Sequence, residues 1–238
     1  MDPVVPPTPQ LSDVASSYVR ALIMSGALPP GTRVRPEMIA ERLGISTTPA
    51  REALQALRAE GFLDLEPRKG FQVAPLSGDD IRDLFRVQAL ISAELAARAA
   101  EHARPEDIAR LEAIQDELTV AASRSDLDAV ERLNHRFHRE INLLARSRKI
   151  TWAIALVTRY VPRQFYASIP GWPESTVEDH GAVLDAIRAH DPAAARAAIE
   201  RHIAHAGELL ASHFDERIQS ASVIDDAMTG ERTAASTG

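Results

Sequence analysis

Ala40-Glu41-Arg42-Leu43-Gly44-Ile45-Ser46-Thr47-Thr48-Pro49-Ala50-Arg51-Glu52-Ala53-Leu54 is the stretch on which the reading of this chain turns. Gly44 ends a short helix that begins near Pro36. Ser46 then stands where a helix cap belongs, and Pro49 falls in the first turn, where a missing N–H does no harm. In this next helix Ala50, Ala53, Leu54 and Leu57 form an apolar side, while Arg51, Gln55 and Arg58 recur at i, i+4 and i+7 on another. Thr47, Thr48 and Arg51 cluster at its N-terminal end. A recognition helix enters the major groove of DNA by that end. Arginine can bond two acceptors of guanine at once, and threonine can bond phosphate or pack on a thymine methyl.

Working outward, Leu11, Val14, Tyr18 and Leu22 mark an earlier helix that stops at Gly26, and Pro29-Pro30-Gly31 is a turn. Downstream, Phe62-Leu63-Asp64-Leu65 and Phe71-Gln72-Val73-Ala74 predict two strands, with Pro67-Arg68-Lys69-Gly70 turning between them. Arg68 and Lys69 beside Gly70 would form a wing, where bare backbone can approach the minor groove. Three helices and a hairpin over residues 11–76 therefore predict a winged helix-turn-helix. Residues 1–10 are Pro-rich and are expected to be disordered, as is a tail over 219–238 that lacks apolar periodicity.

From about Asp79 the pattern is helical throughout. Six helices are predicted, near 79–102, 105–122, 126–146, 148–166, 174–190 and 192–216, with Pro105 and Pro192 at helix starts. The fold class is thus mainly α: a winged helix-turn-helix followed by an all-helical domain over 79–216. In the third of these helices Leu127, Val130, Phe137 and Ile141 mark the inward face, and Asn134 and His138 share it, four residues apart. His180 shares the face of Val177, Leu184 and Ile187. His202 shares that of Ile199, Ala206 and Leu209. Three helices each point an imidazole inward, which is costly unless the rings are satisfied. One divalent ion, zinc, nickel or similar, would satisfy them together. Singly, each is more readily a core histidine bonded to a carbonyl or carboxylate, and His135, His190, His205 and His213 are read that way, although His205 lies close to His202.

Gly31 through Val73 resembles the reading head of the GntR family of bacterial regulators. The matching residues include Pro30-Gly31, Ala40 through Ser46, Thr48 through Leu54, Leu57, Glu60-Gly61-Phe62 and Gly70-Phe71-Gln72-Val73. The resemblance implies DNA contacts by Arg51 and Arg35, and Thr47 stands where the family usually has Arg. Residues from about Asp79 to His213 resemble the effector domain of the FadR-type branch, in its six-helix variant. Metal-binding members carry Asp-x-x-x-His on one helix and one His on each of two later helices. Here Asn134 through His138 occupies the first motif, with Asn134 in place of Asp, and His180 and His202 occupy the others. Gln88 and Ser92, on the inward face of the first of the six helices, stand about where the family often has Arg and Glu; they either line the effector cavity or make local hydrogen bonds, and in the first reading Arg159 is assigned there with them.

The chain of 238 residues carries a net charge of −7. Residues 11–76 hold eight basic and seven acidic side chains, so this segment is +1 and the remainder −8. A reader of DNA needs only one basic face. The absence of cysteine excludes disulfides, thiolate metal sites and cysteine nucleophiles. No stretch approaches ~18 consecutive apolar residues, and the N-terminus has no secretory pattern, so a soluble cytoplasmic protein is expected. The functional expectation is a DNA-binding regulator, a repressor, that binds a palindromic operator as a homodimer and is controlled by a small carboxylate held beside the ion. A DNA-binding metal sensor is the alternative. A metal-dependent enzyme is disfavoured, because no carboxylate falls clearly on the inward faces to serve as acid or base.

Overall fold

The computed structural model describes residues 10–161, 166 and 169–235, with side chains through Arg217. The elements in order are α1 (Leu11–Met24), β1 (Arg33–Val34), α2 (Pro36–Leu43), α3 (Thr47–Ala59), β2 (Leu63–Glu66), β3 (Gly70–Val73), α4 (Gly78–His102), α5 (Pro105–Ser123), α6 (Leu127–Leu144), α7 (Arg148–Val157), α8 (Trp172–Arg188) and α9 (Pro192–Ala235). They fall into two compact units. Ser77–Glu216 form one, and the residues up to Leu76 group with those from Arg217 onward.

In the first unit α1 and α2 pack on α3. Ala50, Ala53, Leu54 and Leu57 are fully buried, so the side of α3 read as apolar is its core side. Gly44 terminates α2 in the left-handed conformation (φ 65°), donating back to Ala40 and Glu41 carbonyls. Ser46 occupies the N-cap of α3 with extended backbone, but its side chain makes no capping hydrogen bond. The buried face of α1 is Ala15, Val19 and Ile23 rather than Leu11 and Val14, which are exposed. Both stripes have helical spacing, and periodicity does not say which one meets α3. The sheet is antiparallel in the order β1-β3-β2. Val34 and Leu65 both pair with Phe71, which is buried. Strand β1, too short to show alternation, adds a third strand to the expected hairpin. Its approach is fixed at Gly31 (φ 83°), whose N–H bonds Val73 and whose carbonyl accepts from Gln72 Nε2 at 2.8 Å.

In the second unit Ser77 opens α4 with a capping box: Asp80 N–H donates to Ser77 Oγ and Ser77 N–H to Asp80 Oδ2. Helix α4 packs on α6, α7 and α8, and α5 on α6 and α8. Leu95, Leu111, Ile114, Leu118, Phe137, Ile141, Val183, Ile187, Ile199, Leu210 and Phe214 fill the interior. Two expected bounds change. Helix α7 stops at Val157, short of the expected end at residue 166, and residues 162–165 of that span fall outside the described residues. Helix α9 runs to Ala235, past its expected end at residue 216 and into the tail over 219–238 expected to be disordered. Between Pro192 and Gly230 the chain holds only Gly207 as a breaker and no further proline, so nothing local ends the helix. The expected disorder of residues 1–9 and 236–238 falls outside the described residues.

Candidate functional site

His138 on α6, His180 on α8 and His202 on α9 converge, with one ring nitrogen of each lying within 4.8 Å of the others. Phe137, Val130, Leu133 and Ile141 bury one face of α6. That orients α6 so that His138, next to Phe137, meets the other two rings. The Nε2 atoms of His138 and His202 are 3.1 Å apart. His180 has no exposed surface and stacks on Phe137, ring centres 4.0 Å apart at 13°. Neither of its nitrogens has a hydrogen-bond partner, and the buried Oδ1 of Asn134, one turn before His138, has none either. Burial pushes His138 and His180 well below the ordinary histidine pKa, and the neighbouring His202 adds to it. Both rings are therefore neutral at pH 7 and keep a lone pair for coordination. Three converging imidazoles and one amide oxygen, of which His180 and Asn134 Oδ1 are buried without partners, are a donor set that fits a divalent ion of the zinc or nickel type. The four residues expected to form the site include the three brought together here. Leu127, expected inward, is 41% exposed.

One carboxylate near the cluster escaped the sequence reading. Asp179 Oδ2 lies 3.4 Å from His202 Nδ1 and 3.3 Å from His205 Nδ1. It precedes His180 on α8 and faces α9, so inward periodicity does not select it. Hydrogen bonds from His202 hold its carboxyl below the usual range, and His205 contributes. Asp179 meets the rim nitrogen of His202 from a partly exposed flank, and not the convergence point. His190 behaves as a core histidine, its Nδ1 bonding the Ala100 carbonyl at 2.9 Å. Ser92 is buried on α4 and Gln88 half-buried one turn earlier. Arg159 is exposed, in the turn after α7, because the helix expected to carry it ends at Val157. Among the described residues no hydrogen bond or ion pair joins it to the cluster.

The other candidate surface is on the first unit. Thr47, Thr48, Arg51 and Gln55 are exposed and, with Glu52, line an open depression of about 400 Å³ on α3. Arg51 lies 3.7 Å from Glu37, with both side chains more than half exposed, a pair weak enough to release its cation. Glu52 was not expected there. It can accept from cytosine N4, and it repels phosphate. Arg35, the residue before α2, is exposed. At the wing, Lys69 pairs with Glu66 at 2.6 Å, Arg68 adopts a positive φ of 66°, and Gly70 opens β3 at φ 87°.

A winged helix-turn-helix in the same chain as an all-helical domain defines a DNA-binding transcriptional regulator. Residues 11–73 match the family described as bacterial regulatory proteins, gntR family, and residues 83–205 match the FCD domain. The chain belongs to the GntR family, in the branch that carries an FCD domain. It is 31% identical over 112 residues to the HTH-type transcriptional regulator McbR of Escherichia coli K12, a match spanning 47% of this chain and 51% of McbR. It is 24% identical over 204 residues to the HTH-type transcriptional repressor RspR of the same organism, covering 85% of this chain and 90% of RspR. The solved structure of E. coli McbR/YncC shares the fold, with a TM-score of 0.61 at 24% identity over 90% of this chain and all of that one. No helix among the described residues is long and apolar enough to cross a membrane.

Proposed function

We propose that this regulator is a repressor whose operator binding is controlled by a small carboxylate, bound beside a divalent ion held by His138, His180, His202 and Asn134. The observation that carries the reading is the set of buried polar atoms without partners on α6 and α8, Asn134 Oδ1 and both nitrogens of His180, beside the facing rings of His138 and His202. Buried polar groups are rarely left so unless something absent satisfies them. When bound, the ion would supply a Lewis-acidic centre with positions open to a carboxylate. Ser92 and Gln88 would orient the remainder of that molecule, and Arg159 would join them only if its turn closes over the site.

The residues of the chain perform the switch. His138, His180 and His202 tie α6, α8 and α9 to one point, so a ligand there discriminates between helix arrangements. It shifts operator affinity only as far as it binds one arrangement more tightly than the other. On DNA, Arg51, Thr47, Thr48 and Gln55 would meet base edges, while Arg35, Arg68, Lys69 and the Gly70 backbone would hold phosphates. A homodimer on a palindrome would double these contacts. The outer face of α7 supports it: Trp152 and Leu156, one turn apart, are 62% and 47% exposed, although the opposite face of α7 is already buried through Ile154. A helix apolar on both faces is expected to be covered.

Thermal-shift screening of organic acids, with and without zinc or nickel, tests the proposal, since a true ligand stabilises by mass action. Operator release that requires both acid and ion supports it. Release by the ion alone would instead make the protein a metal sensor. Equal ion content in the wild type and a variant with alanine at all three histidines overturns the site.

A further inference from the structure

The proposed donor set is uncharged: three imidazoles and an amide. Two of those imidazoles face each other through Nε2 at 3.1 Å, an arrangement in which one nitrogen must carry a proton and the other must be bare. A carboxylate settles which is which. Asp179 Oδ2 lies 3.4 Å from His202 Nδ1, and an ionised carboxylate only accepts. For that contact to be a hydrogen bond, the His202 proton must be on Nδ1. A neutral ring protonated there has a bare Nε2, and this Nε2 faces the cluster. His138 Nε2 is then the donor across the 3.1 Å gap.

We propose that Asp179 is a positioning residue of this cluster, fixing His202 in the tautomer that turns a bare Nε2 toward the bound ion and setting one negative charge behind an otherwise neutral donor set. The proposal rests on the metal reading above. Its geometry comes from α8 alone. Successive helical side chains diverge by about 100°, so Asp179 and His180 leave the same turn in different directions. His180 goes into the core, where it is fully buried, and Asp179 goes to the flank of α9, where it stays partly exposed. His205, one turn beyond His202, reaches the same Oδ2 at 3.3 Å from the solvent side. It shares the acceptor without entering the cluster, and its own ring is about half exposed. A carboxylate hydrogen-bonded to the far nitrogen of a ligating imidazole sets the ring's orientation and raises its basicity, and removing such a partner weakens metal affinity about 10–100-fold.

The competing account is that Asp179 is a surface carboxylate that happens to meet two histidines. Two measurements on the full chain separate the accounts. The first is the imidazole nitrogen NMR spectrum of metal-free, 15N-histidine-labelled protein, which reads each tautomer directly. His202 is expected as the Nδ1–H form in the wild type and as a mixture in Asp179→Ala. The second is titration with zinc alone after chelation. Asp179→Ala should bind about 10–100-fold more weakly, and Asp179→Asn, which keeps an acceptor but loses the charge, should fall between it and the wild type. His205→Ala should stay within about threefold of the wild type, since it leaves the Asp179–His202 contact in place. An Nε2–H form of His202 in the wild type, or wild-type zinc affinity in both Asp179 variants, overturns the proposal. Failure of the metal reading looks different: the wild type and the triple histidine variant would then bind zinc alike, whatever the tautomer of His202.

Discussion

Replacing His180 by leucine should make the metal-free protein more stable and the metal-loaded protein less so. The ring is fully buried, and both nitrogens lack hydrogen-bond partners. A neutral imidazole holds one donor and one acceptor, and each buried unsatisfied group costs about 1–3 kcal/mol, so the pair costs about 2–6 kcal/mol. Leucine has a similar volume and no polar atom. It forfeits the stacking on Phe137, worth about 0.5–1.5 kcal/mol. The balance is a gain of about 0.5–5.5 kcal/mol in chelator. With zinc at a hundred times its dissociation constant, the wild type gains about 2.7 kcal/mol and the variant, short of one ligand, gains little. Urea unfolding in chelator and again in zinc reads both numbers, and the order of the two proteins should reverse or close between the conditions. If His180→Leu lost 1 kcal/mol or more in chelator, the imidazole would be an ordinary structural group and the reasoning would fail.

Arg51→Ala should cost about 1–3 kcal/mol of binding to the specific operator and much less on random DNA, whereas Lys69→Ala should weaken both alike and flatten the salt dependence; fluorescence anisotropy on the two DNAs at several salt concentrations decides. Asn134→Asp should tighten zinc binding about tenfold or more, about 1.4 kcal/mol per factor of ten, because a charged oxygen replaces a neutral one; calorimetric titration measures it. Asp107 is buried at the start of α5, where bonds from Arg104 and then Arg110 draw its pKa down to about 2. A carboxyl lowered on folding stabilises above its unfolded pKa and loses that contribution as pH falls through the folded value. Asp107→Ala should therefore cost about 1 kcal/mol at neutral pH and flatten the fall in stability between about pH 4 and pH 2, followed by urea unfolding against pH. Gly207→Ala should destabilise by about 1–2 kcal/mol, because a Cβ there would lie 2.5 Å from Phe85 Cβ and the strain outweighs the helix-propensity gain of about 1 kcal/mol; a higher midpoint for the variant would contradict the close packing of α9 on α4.

Much of this architecture was legible in the sequence wherever a local rule acts alone. Gly44 ends α2, Pro105 and Pro192 start helices, and the apolar side of α3 is its buried side, because each depends on backbone conformation or a 3.6-residue period. Legibility failed where two local signals compete or where none exists. A helical period continues past Val157, yet α7 ends there. The stretch after Arg217 has no apolar period, yet also no proline, and remains helical to Ala235. Val34 and Arg33 are too few to alternate, so β1 is invisible without its partner Phe71.

The histidine cluster was legible for another reason. Here patterning and burial conflict: polar side chains hold positions that the period assigns to the core. A sequence tends to break its own pattern where function requires it. The conflict points to the inward-facing histidines His138, His180 and His202 but not to Asp179, whose acidic side chain sits acceptably on a partly exposed flank and breaks no rule. A residue that acts by orienting a ligand carries no such signature, and only the geometry across α8 and α9 discloses it. The same reasoning separates Glu52 from Arg51 on α3. A carboxylate in the exposed first turns of a helix is favourable on ordinary helix electrostatics, so only its place in the depression shared with Thr47, Thr48 and Gln55 marks it as a candidate for base discrimination.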